Sequence, residues 1–269
     1  MYLIFDVYVF VLGAVVGSFL NATVYRVKEK KDFIFARSEC VKCHHKLSPL
    51  DLVPVLSYIF LRGKCRYCKE KISPLYLIFE LISGVVFLLY FIFLNVNVSI
   101  KYPIFFYINI IFYLIFICIF LYIGLYDFLY YEISDKVVLY SSILVIIYFL
   151  ISLYLGYINL DLIFNHIVIA IILSAIFLFI ILITKGSGMG GGDMKLVFLM
   201  GLLLGYPAVL YVLFFAFLTG SLFGIILILN KSKKLNSSIP FAPFLSSSTI
   251  LYIIFSVYVL NFVSYIFLR

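Results

Sequence analysis

Two sets of residues in this chain could do chemistry. The first is a pair of carboxylates set against apolar helices. Gly186-Ser187-Gly188-Met189-Gly190-Gly191-Gly192-Asp193-Met194-Lys195 is a glycine-dense loop that ends in one carboxylate, and an apolar helix follows at once. Five glycines in seven residues let the backbone take positive φ and approach another chain closely. A carboxylate at the lip of a membrane helix is costly to place there. Taken alone, Asp193 also reads as a helix N-cap, because Asp is a favoured cap and glycine loops commonly precede helices. Asp127 closes another apolar run and leads through Glu132 and Asp135 into the next. Two carboxylates at one depth, on helices that can pack together, can share one proton, so that one serves as base and the other as acid. Such a pair activates water and protonates a carbonyl oxygen or a leaving amine. Asp127 by itself reads as a snorkelling interfacial residue. Glu132 and Asp135 compete for the place of second carboxylate, but both fall nearer the headgroups, where water accounts for them. Lys195 either reaches phosphate headgroups or holds an acidic group of a substrate, and snorkelling is the commoner role.

The second set is four thiols. Cys40-Val41-Lys42-Cys43 and Cys65-Arg66-Tyr67-Cys68 are separated by 21 residues. Each CxxC turn places two thiolates on one side, and two such turns complete a tetrahedral four-thiolate site, for which zinc is the usual occupant. Lys42, Lys46, Lys64, Arg66 and Lys69 surround the thiols and offset the charge of the site. Disulfides are the competing reading, but the segment is expected in the reducing cytoplasm. His44 and His45 could substitute as ligands; with a complete cysteine set they are expected to be solvated or hydrogen-bonded instead.

The elements that must position these groups are membrane helices. Of 269 residues, 66% are hydrophobic and 12% charged, and apolar runs of about twenty residues recur along the chain. Trp is absent, so the 23 Tyr must supply any interfacial aromatic belt. The net charge of +8 does not mark a nucleic-acid binder. Twelve of the 20 Lys and Arg lie between Arg26 and Lys71, and Lys231, Lys233 and Lys234 form one further short loop. That distribution is the positive-inside bias of cytoplasmic loops, and no basic helix interleaved with aromatics is present.

The chain therefore reads as an all-α polytopic membrane protein of about eight transmembrane helices, with a small cytoplasmic zinc-binding loop domain between the first and second. The first span runs from Met1 to about Tyr25 and lacks a cleavage site, so it is expected to be retained. Residues 26–72 are the soluble loop. Seven apolar segments follow, at about 74–96, 103–125, 136–156, 162–184, 194–206, 207–230 and 246–268. Counting from an outer N-terminus leaves both ends of the chain outside and the loops at 126–135, 185–193 and 231–240 in the cytoplasm, so that Asp127 and Asp193 share one face. The segment 194–206 spans only about 20 Å and is a short crossing that begins below the headgroups. Pro207 can start the helix after it. Glu80, inside the second span, is expected to be a structural partner of a nearby polar group.

At this point the residues resemble a family. Gly190-x-Gly192-Asp193 is similar to the pattern of the GxGD intramembrane aspartyl proteases. Gly17-Ser18-Phe19-Leu20-Asn21 with Tyr25-Arg26, the two cysteine pairs, Ile72-Ser73-Pro74, Glu80-Leu81, Gly190-Gly191-Gly192-Asp193-Met194-Lys195-Leu196 and Pro240-Phe241-Ala242-Pro243-Phe244 together resemble the type IV prepilin peptidases, over nearly the whole chain. One departure is local: the family often has Pro before the second acidic position, and here Ser134 precedes Asp135.

The resemblance implies a bifunctional leader peptidase and N-methyltransferase of the bacterial inner membrane, with its active site facing the cytoplasm. It implies an aspartic endopeptidase whose catalytic residues are Asp127 and Asp193, supported by Gly190, Gly192 and Lys195. The substrates would be prepilins and type II secretion pseudopilins, cut between a basic leader and an apolar helix, and the new N-terminus would be methylated from S-adenosylmethionine. Residues 26–72, with Cys40, Cys43, Cys65 and Cys68 as metal ligands, would be linked to methylation, and residues 73–269 would form a seven-helix peptidase core. No soluble glycine motif marks the S-adenosylmethionine site. The glycines before Asp193 are expected to let the scissile backbone approach in extended form. Partners are then pilin-like precursors and membrane lipids, with no nucleic acid. The rival readings are a proton- or ion-coupled transporter, which would place acids near mid-bilayer, and a non-catalytic assembly protein that docks a partner through its metal loop.

Overall fold

The structure, a computed structural model, describes residues 2–32, 38–95, 103–186, 189–230 and 239–267. Ser187 and Gly188 of the glycine loop, and the Lys231, Lys233 and Lys234 loop, lie outside the described residues. The described residues are almost wholly helical. Eight long helices are α1 (Tyr2–Lys28), α3 (Pro74–Asn95), α4 (Pro103–Tyr130), α5 (Asp135–Tyr154), α6 (Leu160–Ile183), α7 (Gly191–Leu204), α8 (Ala208–Leu229) and α9 (Ala242–Phe267), and a short α2 (Leu56–Phe60) lies between the first two. Six of them, α1, α3, α4, α5, α6 and α8, are long and apolar enough to cross a bilayer. The protein is a multi-pass membrane protein.

The spans start and stop close to where the apolar runs do, with instructive differences. α4 continues past residue 125 to Tyr130, which carries Asp127 into its last turn. It stops where Tyr131 takes a left-handed φ of 58°, with the Tyr131 N–H closing on the Asp127 carbonyl at 2.8 Å. α7 begins at Gly191, not after Asp193, so the glycine loop donates its last two glycines to the first turn. α8 starts one residue after Pro207, which caps it. α9 begins at Ala242, four residues earlier than the apolar run predicts.

The chain divides into two compact units, Met1–Ser99 with Leu260–Arg269, and Ile100–Val259. In the first, α1 and α3 pack antiparallel. The register is read from Phe5 against Phe91 and Tyr25 against Tyr76, with the small residues between them. A Cβ on Gly13 would lie 2.7 Å from the Ser83 carbonyl, and one on Gly17 would lie 2.6 Å from the Ser83 side chain. Gly13 and Gly17 thus let two backbones approach where lipid offers no hydrophobic drive between helices.

In the second unit, α7 is the enclosed element. Leu196, Val197, Leu199, Met200, Leu202 and Leu203 are all buried, so this helix is apolar all round because it is covered all round. α6 closes on it at Gly201, where a Cβ would lie 2.6 Å from the Ala170 Cα. The His166 ring nitrogen bonds the Leu202 carbonyl at 2.9 Å near the end of α7. The outer faces of α5, α6 and α8 carry exposed Ile147, Phe179, Leu182 and Phe214, the surface expected of helices that meet acyl chains.

Candidate active site and metal centre

Asp193 is held by the start of the buried helix. Gly190 is the N-cap of α7, with an extended φ of −77°, and the Asp193 N–H bonds the Gly190 carbonyl at 3.1 Å. The Asp193 carboxylate lies beside the Gly190 backbone, its Oδ2 3.4 Å from where a Cβ on Gly190 would stand. Asp193 is the third residue of α7, inside the first turn where the helix dipole favours a negative charge. The residue is thus not the cap itself.

Asp127 is only 6% exposed in the last turn of α4. Its Oδ2 accepts the backbone N–H of Ala242 at 3.1 Å. Ala242 is the first residue of α9, and Pro243 follows it without an N–H of its own. The preceding Phe241 has no side-chain acceptor, so the orphan amide at this helix end takes its partner from α4. Gly124, one turn before Asp127, leaves room for α9: a Cβ there would lie 3.3 Å from the Ser246 Cβ. The sequence reading missed the Ala242 amide. Its signal was an apolar helix start with Pro in the first turn and no Ser, Thr, Asp or Asn before it.

Asp127 in the last turn of α4 and Asp193 in the first turn of α7 interact electrostatically. What joins them is the short α4–α5 connection. Ile133 of that connection packs over Gly192, where a Cβ would meet the Ile133 Cβ at 3.1 Å. The remaining acids of the connection are elsewhere. Glu132 is exposed, and Asp135 pairs with the Lys195 ammonium at 2.7 Å, the two side chains being 70% and 43% exposed. Lys195 is therefore tied to a protein carboxylate in this structure, where headgroup contact was the expected role. Of the glycines, Gly186 alone has a positive φ among the described loop residues. Gly191 borders open space, and a Cβ on Gly190 would touch nothing but the Asp193 carboxylate.

In the first unit the four thiols converge. Cys40, Cys43, Cys65 and Cys68 place their sulfurs within 4.8 Å of one another, and Cys40 and Cys68 are 3.9 Å apart. Tetrahedral bonds of about 2.3 Å to one zinc ion set sulfurs about 3.8 Å apart, so the donor set and its spacing fit that ion. The two CxxC turns are built alike. The Cys40 N–H bonds the His45 carbonyl and the His44 N–H returns to the Cys40 carbonyl; the Cys65 N–H bonds the Glu70 carbonyl and the Lys69 N–H returns to the Cys65 carbonyl. His44 and Lys69, each four residues after the first cysteine, both take a left-handed φ, 54° and 61°. Bridges Glu39–Lys46 and Lys64–Lys71 close the two loops at the same offset. This internal repeat was not read from the sequence, although both turns carry Lys six residues after the first cysteine.

Burial opposes ionisation of Cys40, yet the N–H groups of Cys43 and Lys42 and the neighbouring thiols bring its thiol down to about 7. At Cys68 the Glu70 N–H favours the thiolate, but desolvation and the three other sulfurs push it up to about 12. A divalent cation bound here would hold the four as thiolates. His44 and His45 are exposed, outside the four-thiol cluster, with the His45 ring 3.7 Å from that of Tyr67.

Comparison with known proteins follows the same division. Residues 11–94 match the bacterial peptidase A24 N-terminal domain, and residues 114–225, which carry both aspartates, match the type IV leader peptidase family. The chain is 26% identical to a prepilin leader peptidase/N-methyltransferase of Bacillus subtilis over 257 residues, 94% of this chain and 95% of that protein. It is also 26% identical to one of Aeromonas salmonicida over 271 residues, 88% of this chain and 86% of that protein. A third, from Myxococcus xanthus, is 33% identical over 84 residues, which span 31% of this chain and 25% of that protein. No solved structure matches the chain at comparable significance. With its two family domains in order and relatives aligned along nearly its whole length, the chain belongs to the type IV leader peptidase family.

Proposed function

We propose that the protein removes the basic leader from pilin-like precursors, including pseudopilins, by an aspartate pair at the cytoplasmic face of the inner membrane, and then methylates the new N-terminus. What supports the cleavage reading is the electrostatic interaction of Asp127 with Asp193, from two helix ends, in a chain of a peptidase family. Their environments differ. Asp127 is buried and takes one backbone N–H from α9, whereas Asp193 is partly open beside the bare Gly190–Gly191 backbone. In the proposed mechanism the pair holds one proton between them. The ionised member takes a proton from water as the water oxygen attacks the scissile carbonyl. The protonated member gives its proton to the carbonyl oxygen, and the tetrahedral adduct collapses with proton return to the leaving amine.

The space left at Gly190 and Gly191 suits an extended peptide approaching Asp193, and the substrate's own helix can reach the site by lateral diffusion. A zinc ion on Cys40, Cys43, Cys65 and Cys68 would supply folding energy to a loop too small to bury a core. The methylation reading rests on the names of the relatives and on the cysteine loop, with S-adenosylmethionine as donor.

The test is to reconstitute the purified chain in bilayers with a synthetic precursor helix bearing a basic leader. Cleavage at the leader–helix junction, followed by gain of one methyl group on the product when S-adenosylmethionine is present, is the expected result. A precursor left intact sinks the peptidase reading, and a cut but never methylated product sinks the second half.

A further inference from the structure

One space that cleavage does not use lies wholly within the N-terminal unit. It is a cavity of about 860 Å³, within the range of cofactor sites. Its wall follows α1 from Val15 to Arg26, about 17 Å, and goes on to Glu29. One end is apolar, at Val15 and Phe19, and the other is charged, where Lys31 pairs with Glu29 at 2.8 Å and with Glu39 at 2.7 Å. Between these ends stand Tyr25 and Tyr76, whose rings stack at 5.4 Å and 13°.

One wall residue is expensive. Glu80 lies inside the α3 span and is 8% exposed, where a carboxylate needs a reason. Its Oε2 accepts the Val55 N–H at 2.7 Å. Val55 holds φ 63° and ψ −54°, a conformation that is an outlier for a β-branched residue and that collects at ligand sites. Backbone strain in the metal loop thus aims an amide at Glu80 and fixes the carboxylate on the cavity wall before any ligand arrives. A carboxylate used only to tether the loop would not have to face an 860 Å³ space.

Resting on the methyltransferase reading, we propose that this cavity takes S-adenosylmethionine, with Glu80 as the negative group facing its sulfonium. The donor has three chemical parts, and the wall has a counterpart for each. A flat heterocycle suits the tyrosine planes, an amino-acid zwitterion suits groups of both signs, and a fixed cation suits a preset carboxylate. The apolar end is left for the first residues of the cut helix. In the transfer, the unprotonated amine nitrogen bonds to the methyl carbon as that carbon's bond to sulfur breaks. The electron pair stays on sulfur, leaving a neutral thioether. The positive charge passes to nitrogen, which then loses a proton to water.

The experiment uses the full zinc-loaded chain in nanodiscs and measures equilibrium binding of S-adenosylmethionine and of uncharged S-adenosylhomocysteine. Glu80→Gln keeps an acceptor for the Val55 N–H and removes the charge. Wild type is expected to favour the charged ligand by about tenfold or more, and Glu80→Gln to lose that preference while keeping its affinity for S-adenosylhomocysteine, its zinc and its precursor cleavage. Photo-crosslinked donor is expected on peptides containing Tyr25 or Tyr76. If Glu80→Gln loses zinc, Tyr76→Leu is read instead, with a matched loss of affinity for both ligands. Methylation by wild type with unchanged charge preference in Glu80→Gln, or with crosslinks outside the N-terminal unit, overturns this site and leaves the methyltransferase reading standing. Absence of both donor binding and methylation in wild type overturns the two together. Displacement of the crosslink by phospholipid alone makes the cavity a lipid site and overturns the assignment.

Discussion

The Asp127 carboxylate caps α9: its Oδ2 takes the Ala242 N–H at 3.1 Å, a bond between residues 115 positions apart. The start of the last helix is thereby part of the site, and the Pro-Phe-Ala-Pro-Phe stretch acquires a physical role. Replacing Ala242 by Pro removes that N–H at a first-turn position where Pro is well tolerated. We expect the protein to insert normally and cleavage to fall about tenfold, the worth of one hydrogen bond to a charged group. Steady-state cleavage rates of the inserted variant check this; an unchanged rate would mean that the Ala242 amide does not condition Asp127.

Gly201 sets the distance between α6 and α7. The neighbour of its missing Cβ is Ala170 backbone at 2.6 Å, which no side-chain rotation relieves. Gly201→Ala is predicted to cost about 1–3 kcal/mol and to lower the unfolding temperature in detergent. Gly191→Ala, which meets open space, serves as the tolerated control. Equal behaviour of the two would contradict the packing described.

The metal loop should behave as a metal-dependent fold. The wild-type chain is expected to hold one zinc ion, and Cys65→Ser, at the buried thiol of the four, to release it. Proteolytic cuts should then appear between the two cysteine turns. Zinc retained in the variant, measured by elemental analysis, would require a different ligand set.

Acid should act on this loop through Asp51. Its carboxylate is 2% exposed and meets Arg66 at 2.6 Å. It also accepts the Ser48 hydroxyl at 2.8 Å and the Ser48 N–H at 3.1 Å. Burial works against ionisation, but Ser48 and Arg66 outweigh it and hold the carboxyl below its ordinary range. A lowered folded value means that the stabilisation is complete above the unfolded value of about 3.9 and is lost as pH falls through the folded one. Against Asp51→Asn, the wild-type loop should be more stable by about 1–3 kcal/mol at neutral pH, with the gap closing only below about pH 4. A gap that already closes near pH 6 would assign the effect to another group.

Much of this was legible in the residues. Runs of apolar residues located the spans because lipid demands them, and the CxxC spacing located the thiols because two chelating turns are a local property. What was not legible depended on where helices begin. Asp193 lies inside α7 because Gly190 can cap it, and a glycine run does not say which of its members is the cap. The Ala242 bond to Asp127 and the Val55 bond to Glu80 join residues far apart in the chain, one through an uncapped helix end and the other through a strained loop. Lys195 finding Asp135 was hidden for the same reason: its partner lies 60 residues away.

The central claim is that Asp127 and Asp193 work as one unit, and the most direct measurement is the cleavage rate of a reconstituted precursor by Asp127→Asn, Asp193→Asn and the double variant. Each single change is expected to lower the rate by about 10²–10⁴-fold, and the double variant to be little worse than either, as for groups that act together. Cleavage near the wild-type rate by either folded, inserted single variant would contradict it.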